Sequence, residues 1–345
     1  MNSPGLKKIG LRWHHVVLMV LLGAIVFATL VIYGDLPELS RSLRQFPLGY
    51  LLIVLALSLA NYLLRLVRWT YYLRILSVDI PLWHNILIFF SGFSMTISPG
   101  KVGDLAKCYL LSEAHRVPVS RSSPALIMER VTDLVAVFTL SACGVAVLPS
   151  RLVIIGGAAV AIVAVALVAV LVVSHGLLLR LSLVRRWETQ IAESRENLKR
   201  LLSAQALIAG VTLAVLAWLC EGVGLWFVLR GLDADLSLVR AVSVYASATL
   251  IGALVLLPGG VIGTETSMVG LLRGMDAKRA DASAATIIIR LCTLWFAVLV
   301  GFAALALLYW LVLRTRTGLP EAAVDAPARE TLVQGGSDDA EKGPV

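Results

Sequence analysis

Two short glycine turns in this chain could each hold an anion, and each is followed at nearly the same distance by an arginine. The first is Ser98-Pro99-Gly100-Lys101-Val102-Gly103-Asp104 and the second is Pro258-Gly259-Gly260-Val261-Ile262-Gly263-Thr264-Glu265. Pro99 lies 31 residues before Arg130 and Pro258 lies 32 before Arg290, the extra residue falling between Pro258 and Gly263. Each turn leads into a short helix, so free backbone N–H groups converge there with a partial positive charge. In the first turn the Lys101 ammonium joins them, between Gly100 and Gly103. In the second, Gly259 and Gly263 repeat the glycines, but Gly260 stands where Lys101 would, so the two turns are electrically unequal. The bland alternative is that the glycines only permit the bend and Lys101 points to water.

The acids divide in the same way. Asp104 and Glu265 follow the last glycine of each turn, where they either cap the helix or pair with Arg130 and Arg290 until a phosphate displaces them. Arg130 has Glu129 and Asp133 on its own helix, so a structural ion pair competes with substrate binding. Arg290 has no acid within a helical turn. Its partner is on another helix or on the substrate, and it reads as phosphate-binding. Glu221 is the most isolated acid, suited either to proton coupling or to a buried pair with a basic residue. Arg65, one turn from Arg68, reads as snorkelling to an interface. The five histidines share no ligand spacing, the four cysteines form no CxxC pair, and no phosphate loop, nucleophile elbow or dinucleotide fingerprint occurs. No metal, cofactor or ATP chemistry is therefore expected, and the chain is not expected to be an enzyme.

These charges sit in a setting of unusual apolarity. The 345 residues are 59% hydrophobic and 15% charged, with a mean hydropathy of +0.87. That composition is not covered by a soluble surface. The apolar runs are continuous, which excludes the alternation of a membrane β-barrel. An all-α polytopic membrane protein is expected, with six spans at about 16–33, 48–67, 126–148, 152–174, 205–229 and 284–313. The two apolar stretches interrupted by the glycine turns leave limbs too short to cross alone, and read as re-entrant helical hairpins. The first span follows Lys7, Lys8 and Arg12 but ends in Val31, Ile32 and Tyr33 rather than small residues, so it is expected to be retained.

Basic residues cluster at alternate span ends, which reports orientation rather than a nucleic-acid surface. Lys7, Lys8 and Arg12, then Arg68, Arg74, Arg116 and Arg121, then Arg180 to Arg200, then Arg314 and Arg316 fall inside. Both termini are thus expected in the cytoplasm. Arg273, Lys278 and Arg279 fall outside, against the trend, partly offset by Asp276 and Asp281. Residues 180–202 read as a surface helix or a solvated connector, and residues 316–345 as a disordered cytoplasmic tail.

The repeat extends past the turns. Ala125 to Leu140 aligns with Ala285 to Val300, with Arg130 opposite Arg290. Halves of about 48–148 and 205–313 follow, and the odd number of spans between the hairpins gives the halves opposite topology. On SPGKVGD, the ER of ALIMERVTD, and LPGGVIGTE, residues 10 to 315 resemble the flippase-like membrane region of lysylphosphatidylglycerol synthases and stand-alone bacterial and archaeal relatives. The resemblance implies movement of an anionic lipid, polyprenyl phosphate-linked or phosphatidylglycerol-type, between leaflets of a bacterial cytoplasmic membrane. It does not bring the synthetic activity, since no aminoacyl-transfer domain is present in this sequence. A small-anion carrier and a membrane-embedded lipid phosphate transferase are the alternatives.

Overall fold

A computed structural model of the protein describes residues 36–96, 104–144, 188–254 and 262–313. Among these, all regular structure is helical. The expected spans at 16–33 and 152–174 and the tail beyond 315 lie outside the described residues. Helix α1 (Leu36–Gln45) is amphipathic and precedes α2 (Leu48–Ile75). Proline sets three of the helix starts: Pro47 before α2, Pro81 before α3 (Leu82–Ser91) and Pro118 before α5 (Val119–Cys143). Its fixed φ and missing N–H suit a helix start, and the residue ahead of it is kept out of the helical region. A 3₁₀ turn, Gly92–Met95, extends α3. Beyond the first glycine turn lies α4 (Leu105–His115), closed by Arg116 in the left-handed region at φ 57°.

The remaining described helices follow in chain order. Helix α6 (Glu188–Leu201) falls within the predicted surface segment and packs along α5. It precedes α7 (Ala204–Gly231), α8 (Leu238–Leu254), α9 (Gly263–Arg273) and α10 (Arg279–Arg290). A π turn, Leu291–Trp295, carries α10 into α11 (Phe296–Leu308), so that Arg279–Val312 forms one continuous helix. Among the described residues, three helices are long and apolar enough to cross a membrane: α2, α7 and Arg279–Val312. Helices α3 and α8 are the shorter apolar limbs before each turn.

Helices α2 and α7 form the most extensive contact. Each buries a stripe at i, i+4, i+7 spacing: Val54, Ser58 and Asn61 on α2, Gly210, Ala214 and Ala217 on α7. Small side chains allow this approach, and Asn61 Nδ2 donates to the Ala217 carbonyl at 2.7 Å where the helices cross. Both residues stand thirteen positions after the first of their helix (48 to 61 and 204 to 217). The halves are interlocked. Helix α3 and its 3₁₀ turn pack against α11, while α8 packs against α5. Gly301 on α11 admits the backbone of Ser94, and Ser141 on α5 hydrogen bonds Ser247 on α8 at 2.6 Å.

The two broken helix pairs have their mouths beside different ends of α2. Arg121, at the start of α5, donates to the carbonyls of Leu76 and Ser77, just past the end of α2. Gly231, at the end of α7, lies against Phe46 and Tyr50 at the start of α2, and Ser42 reaches Asp281 at the start of α10. Large apolar side chains cover the outside of the bundle, among them Ile208 and Leu299, each 69% exposed. Such a belt is unfavourable in water and suited to hydrocarbon.

Candidate functional site

The helix crossing opens into a cavity of about 150 Å³ lined by charged and apolar side chains from both parts of the chain. Its walls come from the middle of α2 and α7, the two glycine-turn helices, and the arginine-bearing turns of α5 and α10.

Each repeated arginine is paired with the acid that follows its own glycine turn. Arg290 Nε donates to Glu265 Oε1 at 2.6 Å, and Arg130 NH2 lies 2.7 Å from Asp104 Oδ2. Asp104 makes no side-chain capping bond. Its carboxylate serves the arginine, and Glu265, in the first turn of α9, does the same. The pairs differ in depth: Arg290 and Glu265 are 10% and 5% exposed, Arg130 and Asp104 are 34% and 28%. The Arg130–Asp104 pair is therefore the more open of the two. Gly263 is the buried first residue of α9. Lys101, Gly100, Gly103 and Gly259 lie outside the described residues.

Glu129 does not serve Arg130, because adjacent side chains on a helix point about 100° apart. It pairs instead with Lys107 of α4 at 2.7 Å, both almost fully buried, with the ammonium 4.6 Å from the Trp69 ring centre and 5.0 Å from that of Phe89. Gly92 permits this, since a Cβ there would meet the Lys107 side chain. In the other pair Gly252 plays the matching part, lying against Thr264.

Asp133 is the hub of the first half. Arg68 NH2 approaches it at 2.8 Å, Trp218 Nε1 donates to it at 3.1 Å, and Arg65 and Arg130 lie 3.5 and 3.7 Å away. Arg68 also donates to Thr132 at 3.0 Å and is 1% exposed. Two sequence expectations change here. Arg68 does not mark a cytoplasmic flank, because α2 runs on to Ile75, past the expected end at 67, and Asp133 satisfies the guanidinium inside the bundle. Arg65 does not snorkel but lines the cavity, with its guanidinium carbon 4.7 Å from the Trp218 ring centre. The polar series Asn61, Arg65, Arg68, at i, i+4 and i+7 inside an apolar span, was the available signal.

Glu221 stands on α7 where Arg65 stands on α2, seventeen positions after the first residue (204 to 221 and 48 to 65). It accepts a hydrogen bond from the Tyr245 hydroxyl at 2.5 Å. Tyr62 donates to the Thr293 carbonyl, 2.5 Å away, inside the π turn that follows Arg290. A π turn loosens the regular ladder, and here a side chain from the other half takes up a carbonyl. His84 and His115, far apart in sequence, meet with ring centres 4.8 Å apart beside the first pair.

Cavity, apolar belt and long helices are those of a multi-pass helical membrane protein. The chain is similar to a UPF0104 membrane protein of Methanothermobacter thermautotrophicus, 23% identical over 321 residues covering 85% of this chain and 95% of the relative. The sequence profile of the lysylphosphatidylglycerol synthase TM region matches residues 16–301. These residues carry both glycine motifs, both arginine–carboxylate pairs and every residue of the cavity wall, and the chain belongs to that family.

Proposed function

We propose that the protein moves an anionic, phosphate-bearing lipid between the two leaflets of a membrane, without altering the lipid chemically. The observation that carries this reading is the charged cavity at the crossing of α2 and α7, lined by Arg130 with its partner Asp104 and by Arg290, whose partner is Glu265. A phosphate entering hydrocarbon loses its hydration at a cost of many kcal/mol. Guanidinium groups restore it through paired N–H donors. In this reading the phosphate displaces Asp104 from Arg130, or Glu265 from Arg290, while the lipid tails stay in the bilayer.

Inverted halves would let the site open to each side in turn. The exchanged packing of the limbs, the mouths at different ends of α2 and the unequal exposure of the two pairs support this. The broken pairs then act as re-entrant hairpins, and both termini face the cytoplasm of a bacterial cell. Lys101, which lies outside the described residues, is a further cation that the sequence offers to the phosphate. Polyprenyl phosphates and phosphatidylglycerol derivatives are the substrate classes favoured by family membership.

The test is reconstitution of the purified full chain in liposomes, with fluorescent phosphatidylglycerol and polyprenyl phosphate compared by a leaflet-selective quencher, without ATP. Accelerated exchange of one of them with unchanged mass is expected. Product of altered mass would replace this reading with a transferase, and uptake of inorganic phosphate without lipid exchange would replace it with a small-anion carrier.

A further inference from the structure

We infer that each phosphate head group bound in the cavity is accompanied by one proton, taken up by Glu221, so that the cargo is an anion and a proton together. The inference rests on the phosphate-lipid reading above and adds to it the coupled ion.

It follows from how the cavity's charges are matched. Arg290, Arg130, Lys107 and Arg68 each have a nearest carboxylate at 2.6 to 2.8 Å, namely Glu265, Asp104, Glu129 and Asp133, the last of which Arg65 and Arg130 also approach at longer range. When these are set aside, one described charge of each sign remains on the wall: Arg65 on α2 and Glu221 on α7. Arg65 has only the longer contact to Asp133, 3.5 Å, and its buried Nε donor has no hydrogen-bond partner. Its guanidinium carbon lies 4.7 Å from the Trp218 ring centre, and Asn61, four residues earlier on α2, has a buried Oδ1 that is also unsatisfied. A phosphate is the kind of group that would use the Arg65 edge.

Glu221 makes no ion pair among the described residues, and its recorded partner is the Tyr245 hydroxyl. The charged and titratable groups acting on it are Arg65 and Tyr62 from α2, Asp133 from α5, Tyr245 from α8, Arg290 from α10 and Cys220 on its own helix. Arg290 is committed to Glu265 and Arg68 to Asp133, so Arg65 is the cation left to balance Glu221 across the cavity. A phosphate held by Arg65 together with the arginine it frees from Asp104 or Glu265 removes that balance and places a second anion in the same low-dielectric space. Two anions so placed favour a proton on one of them. With the proton on the Glu221 carboxyl and the phosphate on Arg65, the wall returns to its empty-state charge, and no bond other than O–H is made or broken.

Binding and protonation are then reciprocal: the phosphate draws in the proton, and the proton strengthens phosphate binding. In a vesicle, coupled movement sends the lipid to the alkaline side, about tenfold for each unit of pH difference, because the product of lipid and proton activities equalises.

The experiment uses the full chain in detergent, with dihexanoyl phosphatidylglycerol as probe and an indicator dye in weak buffer. Uptake of about one proton per probe bound is expected for the native protein and none for Glu221→Gln, whose amide carbonyl still accepts from Tyr245. In vesicles, a pH gradient should concentrate fluorescent phosphatidylglycerol in the alkaline leaflet with the native protein and leave it evenly spread with the variant. Binding by the native protein without proton uptake, or equal uptake by Glu221→Gln, would overturn the coupling and leave the phosphate-lipid reading standing. Failure of the native protein to bind or move any phosphate lipid would overturn both.

Discussion

Arg290 and Glu265 allow a test in which folding and transport are separated. The pair is 2.6 Å apart with side chains 10% and 5% exposed, joining α10 to the start of α9. Removing one partner leaves a buried charge uncompensated, which costs about 3–5 kcal/mol. Arg290→Ala and Glu265→Leu alone should each destabilise by that amount, more than a hundredfold in the unfolding equilibrium. Replacing both by apolar groups of similar volume, Arg290→Met with Glu265→Leu, should return stability to within about 1 kcal/mol of the native protein. The equivalent cycle on Arg130 and Asp104, whose side chains are 34% and 28% exposed, should give single costs of about 1 kcal/mol or less. Reversible unfolding in mixed micelles, followed by tryptophan fluorescence, gives all of these values. The apolar double variant should fold and yet fail to exchange lipid in liposomes, since a pair that yields to phosphate cannot be replaced by methylenes. If Glu265→Leu costs no more than removal of the Asp104 carboxylate, depth does not set the strength of these pairs. If the double variant exchanges lipid at the native rate, the pair is structural only.

Three further outcomes are expected. Gly252→Ala should destabilise by about 1–3 kcal/mol, because its Cβ would come within 2.8 Å of the Thr264 backbone nitrogen, whereas Gly270→Ala, with nothing within 4 Å, should be neutral or stabilising in the same unfolding assay. Arg65→Lys should slow lipid exchange about tenfold, through loss of the guanidinium edge and of stacking on Trp218, with little change in stability. Single cysteines placed within 115–121 and within 274–281 should be labelled by an impermeant thiol reagent from opposite sides of the membrane, and labelling from one side would remove the inverted arrangement.

Much of the fold was legible because in hydrocarbon the backbone must satisfy itself, so apolar length alone announces a helix. The described helices α2, α7 and Arg279–Val312 fall on expected spans, and the interruptions at the glycine turns separate α3 from α4 and α8 from α9. The matched spacing of acid and arginine was read directly from the sequence, and the described residues show each such acid paired with its arginine. The choice among partners was not. The sequence placed Glu129 and Asp133 beside Arg130, but which acid meets which cation depends on the angle at which α4 and α5 pack, and the outcome was Lys107 with Glu129 and Arg130 with Asp104.

Taken alone, the sequence determined that this chain enters a membrane, where its helices break and which charges recur, because these depend on local hydropathy, proline and glycine stereochemistry, and count. Tertiary structure decided that Arg65 and Arg68 turn inward, that Asp133 gathers three arginines and a tryptophan, and that Glu221 faces the cavity beside Tyr245. A charge on an apolar helix can face lipid head groups or a neighbouring helix, and only the register at which Asn61 meets Ala217 settles which.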